Sequence, residues 1–133
     1  MDDTREVCRM LKQAGTYFLA TDDGGQPQVR PFGTAHLYNG RLYFLTAASK
    51  AVSSQLHSRP HFAICAMIGR DWLRMTGRAI LDPDPEACVS LLEEYPGLKR
   101  RYAPGDGNVE LWYMEGVTAT LYSYTAPPKS WRF

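Results

Sequence analysis

The chain has 133 residues, the length of one ordinary folded domain. Apolar residues make up 44 % and charged residues 22 %, which excludes disorder as the dominant state. With 15 basic and 14 acidic side chains the net charge is +1, without the basic excess that a nucleic-acid binder needs to neutralise phosphates.

The opening MDDTREVCRM is acidic where a secretory leader would be basic, and no apolar stretch follows it, so no signal peptide is expected; the three scattered cysteines suit a reducing compartment and make the cytoplasm the expected location. The same segment reads as a helix. Asp3 and Glu6 are placed to cap it, Val7, Met10, Leu11 and Ala14 form one apolar stripe, and Gly15 is placed to end it. Thr16 to Thr21 reads as a strand, and Asp22-Asp23-Gly24-Gly25 turns the chain. Gln28 to Tyr38 reads as one alternating strand, with Val29, Ala35 and Leu37 on one face and Arg30, Phe32, Thr34 and His36 on the other. Asn39-Gly40 then predicts a tight hairpin into Arg41 to Thr46, because a type I′ turn needs positive φ at both central residues.

Ser49 to Ser58 predicts a short helix capped by Ser49, with Val52 and Leu56 inward and Pro60 as its stop. His61 to Ile68 is nearly continuously apolar and reads as a buried strand. Its longest apolar run, Phe62 to Ile68, is far short of the ~20 residues a membrane span needs. Trp72 to Leu81 alternates. Asp84-Pro85 opens a helix whose inward stripe is Cys88, Leu91, Leu92 and Tyr95, ended by Pro96-Gly97. Lys99-Arg100-Arg101, the one basic cluster, reads as a solvated helix end. Val109 to Glu115 and Val117 to Tyr124 read as strand around a possible bulge at Gly116. About six antiparallel strands and three helices, without regular alternation, predict an α+β fold: a closed or half-closed β-barrel with helices at its ends.

Cys8, Cys65 and Cys88 lie far apart in apolar patterns and read as small core residues, not as a disulfide framework or a zinc site. His57 and His61 have the spacing of a metal pair, but Pro60 lies between them, so no metal is expected. Gly105-Asp106-Gly107 reads as a turn. The informative constellation joins Arg30 to the segment from Leu45 to Lys50. There a strand end meets a helix start, which offers free N–H groups, the Ser49 hydroxyl and the Lys50 ammonium to an anion. The plainer reading of these residues is a helix cap beside two solvated cations, and the residue types alone leave both open.

Taken in order, Gln28-Val29-Arg30-Pro31-Phe32-Gly33, Leu42-Tyr43-Phe44-Leu45-Thr46, Ser49-Lys50 and Trp72-Leu73-Arg74-Met75-Thr76-Gly77-Arg78-Ala79 resemble the pyridoxamine 5′-phosphate oxidase-like flavoproteins over roughly residues 1–125. The branch they look most similar to is the small bacterial proteins grouped with nitroimidazole-resistance reductases and general-stress flavin-binding proteins. The resemblance implies a single six-stranded antiparallel split barrel of the FMN-binding type over residues 1–133. It also implies a homodimer with FMN at the subunit interface, and a flavin-dependent oxidoreductase acting on a small substrate, with NAD(P)H as a possible donor. Arg30, Ser49 and Lys50 match the phosphate-binding positions, Pro31, Phe32 and Gly33 the strand beside the flavin ring, and Leu45 and Thr46 the strand end that touches it. Trp131, in a polar tail, is expected to dock near the flavin cleft. The oxidases' C-terminal arginine- and histidine-bearing segment has no match, so vitamin B6 oxidation is not implied. The same resemblance admits a non-catalytic flavin, deazaflavin or haem module, with His36 as the first candidate haem ligand.

Overall fold

The computed structural model describes residues 2–133. Three helices, α1 (Asp3–Ala14), α2 (Ala51–Ser58) and α3 (Pro85–Glu94), surround eight strands: β1 (Tyr17–Asp23), β2 (Gln26–Phe32), β3 (His36–Tyr38), β4 (Arg41–Ala47), β5 (His61–Ile68), β6 (Asp71–Asp82), β7 (Val109–Tyr122) and β8 (Lys129–Arg132). A 3-10 turn, Pro96–Arg100, follows α3. The strands form one antiparallel sheet in the order β2-β1-β5-β6-β7-β4-β3, with β8 added to β7. The expected six strands are therefore eight, and the sheet does not close, because no pairing joins β2 to β3. It curls instead: α1 touches β5 and β8 as well as β3 and β4, and α2 bridges β1 and β4.

Two of the strand boundaries correct the sequence reading. The predicted strand from Gln28 to Tyr38 breaks at 33–35, and the backbone groups freed there are taken up by distant side chains. Tyr17 Oη donates to the Thr34 carbonyl at 2.6 Å, and Tyr95 Oη both accepts from the Ala35 N–H and donates to its carbonyl, each at 3.0 Å. Thr34 Oγ1 accepts from the Leu45 N–H at 3.0 Å and ties the break to β4. The second correction is the tail, which becomes β8 on β7.

The turn signals act as their chemistry requires, whereas two predicted helix caps do not. Asn39 and Gly40 take φ of 53° and 75° in the β3–β4 hairpin. Gly116, at φ 62°, makes the predicted bulge: it and Val117 face the single residue Gly77 between the Thr76–Thr118 and Arg78–Glu115 pairs. Gly77 leaves little room for a side chain there, because a Cβ would meet Val117 Cγ2 at 3.0 Å and the Glu115 carbonyl at 3.1 Å, closer than ordinary contact. The α1 cap is Asp2, which accepts from the Arg5 N–H; Asp3 instead accepts from the Arg132 N–H at 2.9 Å and fastens β8. Helix α2 starts after Lys50 without a side-chain cap, so Ser49 does not cap it.

The main core gathers Val7, Leu11, Leu19, Phe44, Leu56, Ile64, Met75 and Trp112 under α1 and α2. A second cluster of Tyr43, Leu45, Cys88, Leu91 and Leu111 lies under α3. Strand β4 is buried on both faces, since α3 covers the side that α1 and α2 do not. Strand β5 differs from expectation: Phe62, Ile64 and Ala66 are buried, but His61, Ala63, Cys65 and Met67 face outward and exposed. Cys65 is thus a surface residue, whereas Cys8 and Cys88 are core. No helix among the described residues is long and apolar enough to cross a membrane.

Candidate functional site

Arg30 sits on β2 opposite Leu19 and points to the inner side of the sheet. Its Nη1 donates to Thr21 Oγ1 at 2.8 Å and to the Leu19 carbonyl at 3.3 Å, and Nη2 donates to Gln55 Oε1 at 2.7 Å. Thr21 and Gln55 are themselves buried. All three acceptors are neutral. The Nε–H and one Nη2–H have no protein partner among the described residues. Burial pulls the Arg30 pKa below its ordinary value, and no neighbouring negative charge offsets it.

The guanidinium opens onto a cavity of ≈ 420 Å³. Arg30, Pro31, Phe32, Gly33 and Thr34 form one side, Leu45 and Thr46 at the end of β4 the floor, and Lys50, Ala51 and Val52 at the start of α2 a second side. Tyr95, Leu98, Arg101 and Tyr102, from the segment after α3, complete it. Phe32 is held by Tyr17, with ring centroids 6.1 Å apart, and edge-on by Phe44 at 5.3 Å. The lining holds three cations and no aspartate, glutamate, histidine or cysteine. None of the three cations has an ion-pair partner among the described residues. Arg30 is half-buried while Lys50 and Arg101 are exposed, and this unopposed positive charge suits an anion; the volume falls within the roughly 300–1,000 Å³ typical of small-molecule pockets.

Seven of the nine residues singled out in the sequence therefore meet: Arg30, Pro31, Phe32, Gly33, Leu45, Thr46 and Lys50. Ser49 is exposed and stands outside the lining, its N–H donating to Asn108 Oδ1 at 3.1 Å. Trp131 is also outside it. The tail carries its indole into the main core on β8, opposite Ala119, with 8 % of its surface exposed. Of the residues the sequence reading missed, Ala51 and Val52 follow directly from the helix start at Lys50. Tyr95 was visible as the last member of the α3 stripe. Arg101 was visible only as part of the basic cluster read as a solvated helix end, and Leu98 and Tyr102 carry no local signal; only the fold brings their turn to the cavity.

His36 lies beside this wall but faces away from solvent. Its Nδ1 meets Glu94 Oε1 at 2.6 Å and its Nε2 meets Ser90 Oγ at 2.8 Å, so both ring nitrogens are engaged and neither is free to ligate a haem iron. Lys12 Nζ donates to the other Glu94 oxygen and to Tyr95 Oη. Glu94 thereby links α1, β3 and α3 next to Tyr95. Among the described residues no three His, Cys, Asp or Glu side chains gather closely enough to hold a metal ion.

No protein-family model and no curated protein matches the sequence. Solved structures do. A NimC/NimA family protein from Clostridium acetobutylicum is similar at a TM-score of 0.95 and 30 % identity, over 98 % of this chain and 92 % of its own. A heme-binding protein from Mycobacterium smegmatis shares the fold at TM-score 0.72 and 12 % identity, over 99 % of this chain and 58 % of its own. A pyridoxamine 5′-phosphate oxidase-related, FMN-binding protein from Nostoc punctiforme shares it at TM-score 0.59 and 18 % identity, over 98 % of this chain and 92 % of its own. With this likeness over nearly the full length of both chains, the chain belongs to the NimC/NimA family, and it shares its fold with pyridoxamine 5′-phosphate oxidase-related proteins.

Proposed function

We propose that the chain binds FMN in the cavity between β2, the start of α2 and the turn after α3, and that it works as a homodimeric flavin-dependent oxidoreductase on a small substrate. The observation that carries the reading is Arg30, a half-buried guanidinium on neutral acceptors, facing a cavity without a carboxylate. A phosphate monoester carries about −1.5 to −2 charges. The free Arg30 donors, the Lys50 ammonium and the N–H groups of Ala51 and Val52, which have no partner inside the helix, match such a group. Phe32 and Leu45 offer the apolar wall that a flat ring needs, and Thr46 a polar group beside it. When bound, FMN supplies the electron transfer that side chains do not perform. The lining residues hold and orient it.

The homodimer rests on the outer face of the sheet. Phe18, Val29 and Met67 are 46 %, 66 % and 54 % exposed there, next to Cys65 and Ala63. A contiguous apolar face of this kind marks an interaction surface. Pro31, cross-strand from Phe18, belongs to this face and also to the cavity lining, so a second copy seated on it would complete the cavity wall.

The test is an FMN titration of the purified protein followed by anaerobic addition of NADH or NADPH. Stoichiometric FMN that a nicotinamide bleaches supports the oxidoreductase. FMN that binds but accepts no electrons points to a carrier, and a protein that binds no FMN overturns the reading. Arg30→Ala with Lys50→Ala is expected to abolish binding while leaving the circular dichroism spectrum unchanged. Stoichiometric flavin retained in that variant would place the phosphate elsewhere.

A further inference from the structure

The Lys99-Arg100-Arg101 cluster is not uniform once folded. Lys99 lines a separate hollow with Val89 and Tyr102, whereas Arg101 lines the cavity of Arg30 and Lys50. Arg101 has no carboxylate partner among the described residues. Its turn is anchored at both ends. Tyr95 is bonded to both backbone groups of Ala35, and the N–H groups of Arg101 and Tyr102 each donate to the Leu98 carbonyl at 3.0 Å. Beyond Arg101, Asn108 accepts from the Ala48 N–H at 2.7 Å through its carbonyl and from the Ser49 N–H at 3.1 Å through Oδ1. The chain after Arg101 is therefore fastened to the residues just before Lys50.

Those same bonds deplete the β4–α2 connection. The N–H groups of Ala48 and Ser49 are consumed by Asn108, and the Ser49 side chain is outside the lining, so of that stretch only Lys50 brings charge to the cavity. A compact volume of ≈ 420 Å³ is about 9 Å across, comparable with the ~8 Å screening length of physiological salt. Three like charges on its wall repel one another unless an anion lies between them. We propose that Arg101, from the turn after α3, is the third phosphate-binding cation of this site and replaces the contribution of Ser49. The proposal rests on the flavin reading above and adds to it a residue remote in sequence from the phosphate segment. Arginine suits the role because its planar fork can meet two phosphate oxygens at once.

Riboflavin and FMN differ only in the phosphate, so their affinity ratio isolates the contact. Both are titrated by flavin fluorescence into the wild-type chain and into Arg101→Gln, Arg101→Lys, Lys99→Gln and Arg100→Gln. Arg101→Gln is expected to weaken FMN roughly tenfold, as loss of a charged hydrogen bond at a partly exposed site does, and to leave riboflavin within about twofold. Arg101→Lys, which keeps the charge but loses the fork, should fall between the wild type and Arg101→Gln, and the other two variants should leave the ratio unchanged. An unchanged ratio in Arg101→Gln, an equal loss for both flavins, or an equal FMN loss in Lys99→Gln would overturn the proposal while the flavin site stands. A wild-type protein that binds neither flavin overturns the flavin reading and this proposal together.

Discussion

A guanidinium on neutral acceptors keeps its charge but gives up part of its hydration, which sets Arg30 apart from a structural ion pair and is why the proposed anion site is built on it. Glu94 shows the opposite case. Partial burial pushes its pKa up, but the hydrogen bonds from His36 and Lys12 outweigh that, and the net effect holds it below the ordinary 4.5. The folded protein therefore binds fewer protons at this group than the unfolded chain in the acid range. The stabilisation is present above the ordinary pKa and is lost as pH falls through the lowered one. We expect urea midpoints of the wild type to fall more steeply below about pH 4.5 than those of Glu94→Gln. Equal slopes would show that the Lys12–Glu94–His36 group contributes nothing to pH dependence. Because Tyr95 is bonded to Lys12 and lines the cavity, the same group also sets one wall of the site.

At the scale of elements, β8 and the β2–β3 break show how tertiary contacts make or undo a strand. The tail Pro127 to Phe133 has little apolar content, yet β8 pairs with β7 over four residues and the Phe133 and Val117 backbones exchange two further bonds. Trp131 gives it a hydrophobic anchor. Trp131→Ala is expected to cost about 3–5 kcal/mol in urea unfolding, the usual toll of emptying a buried tryptophan site. A loss under about 1 kcal/mol would mean that the tail contributes little to the fold. The break at 33–35 has the opposite origin. Its residues could continue a ladder, but Tyr17, Tyr95 and Leu45 offer their backbone groups and side chains better partners, and the chain bends around the cavity mouth.

For the whole molecule, the face of the open sheet that α1 and α2 do not cover is bare at β1, β2 and β5, while α3 covers it at β4. β5 is apolar on both sides, a pattern typical of strands buried on both faces, yet within a single chain only one side is covered. We expect the wild type to sediment at twice the chain mass, and Phe18→Glu with Met67→Glu to sediment at the single mass. Both side chains are already exposed in the chain, so these changes should leave its unfolding midpoint nearly intact. FMN affinity should fall in the same variant, because Pro31 joins that face to the cavity. A wild type at the single mass would remove the dimer from the proposal.

What the sequence by itself determined is local. The helix stripes, the Asn39-Gly40 hairpin, the Gly116 bulge and the alternation of β6 follow from periodicity and backbone chemistry, which act over a few residues. Most of the candidate site was legible for the same reason, since Arg30 to Gly33 and Leu45 to Lys50 are continuous segments at strand and helix ends. Tertiary structure alone decided the rest: that two more strands form, that Trp131 is core, that Cys65 is surface, that Asn108 takes up the Ser49 N–H, and that Arg101 lines the cavity. Each of these depends on which groups meet across a long stretch of chain. Hydrogen-bond competition and burial settle such meetings only when the whole sheet has assembled.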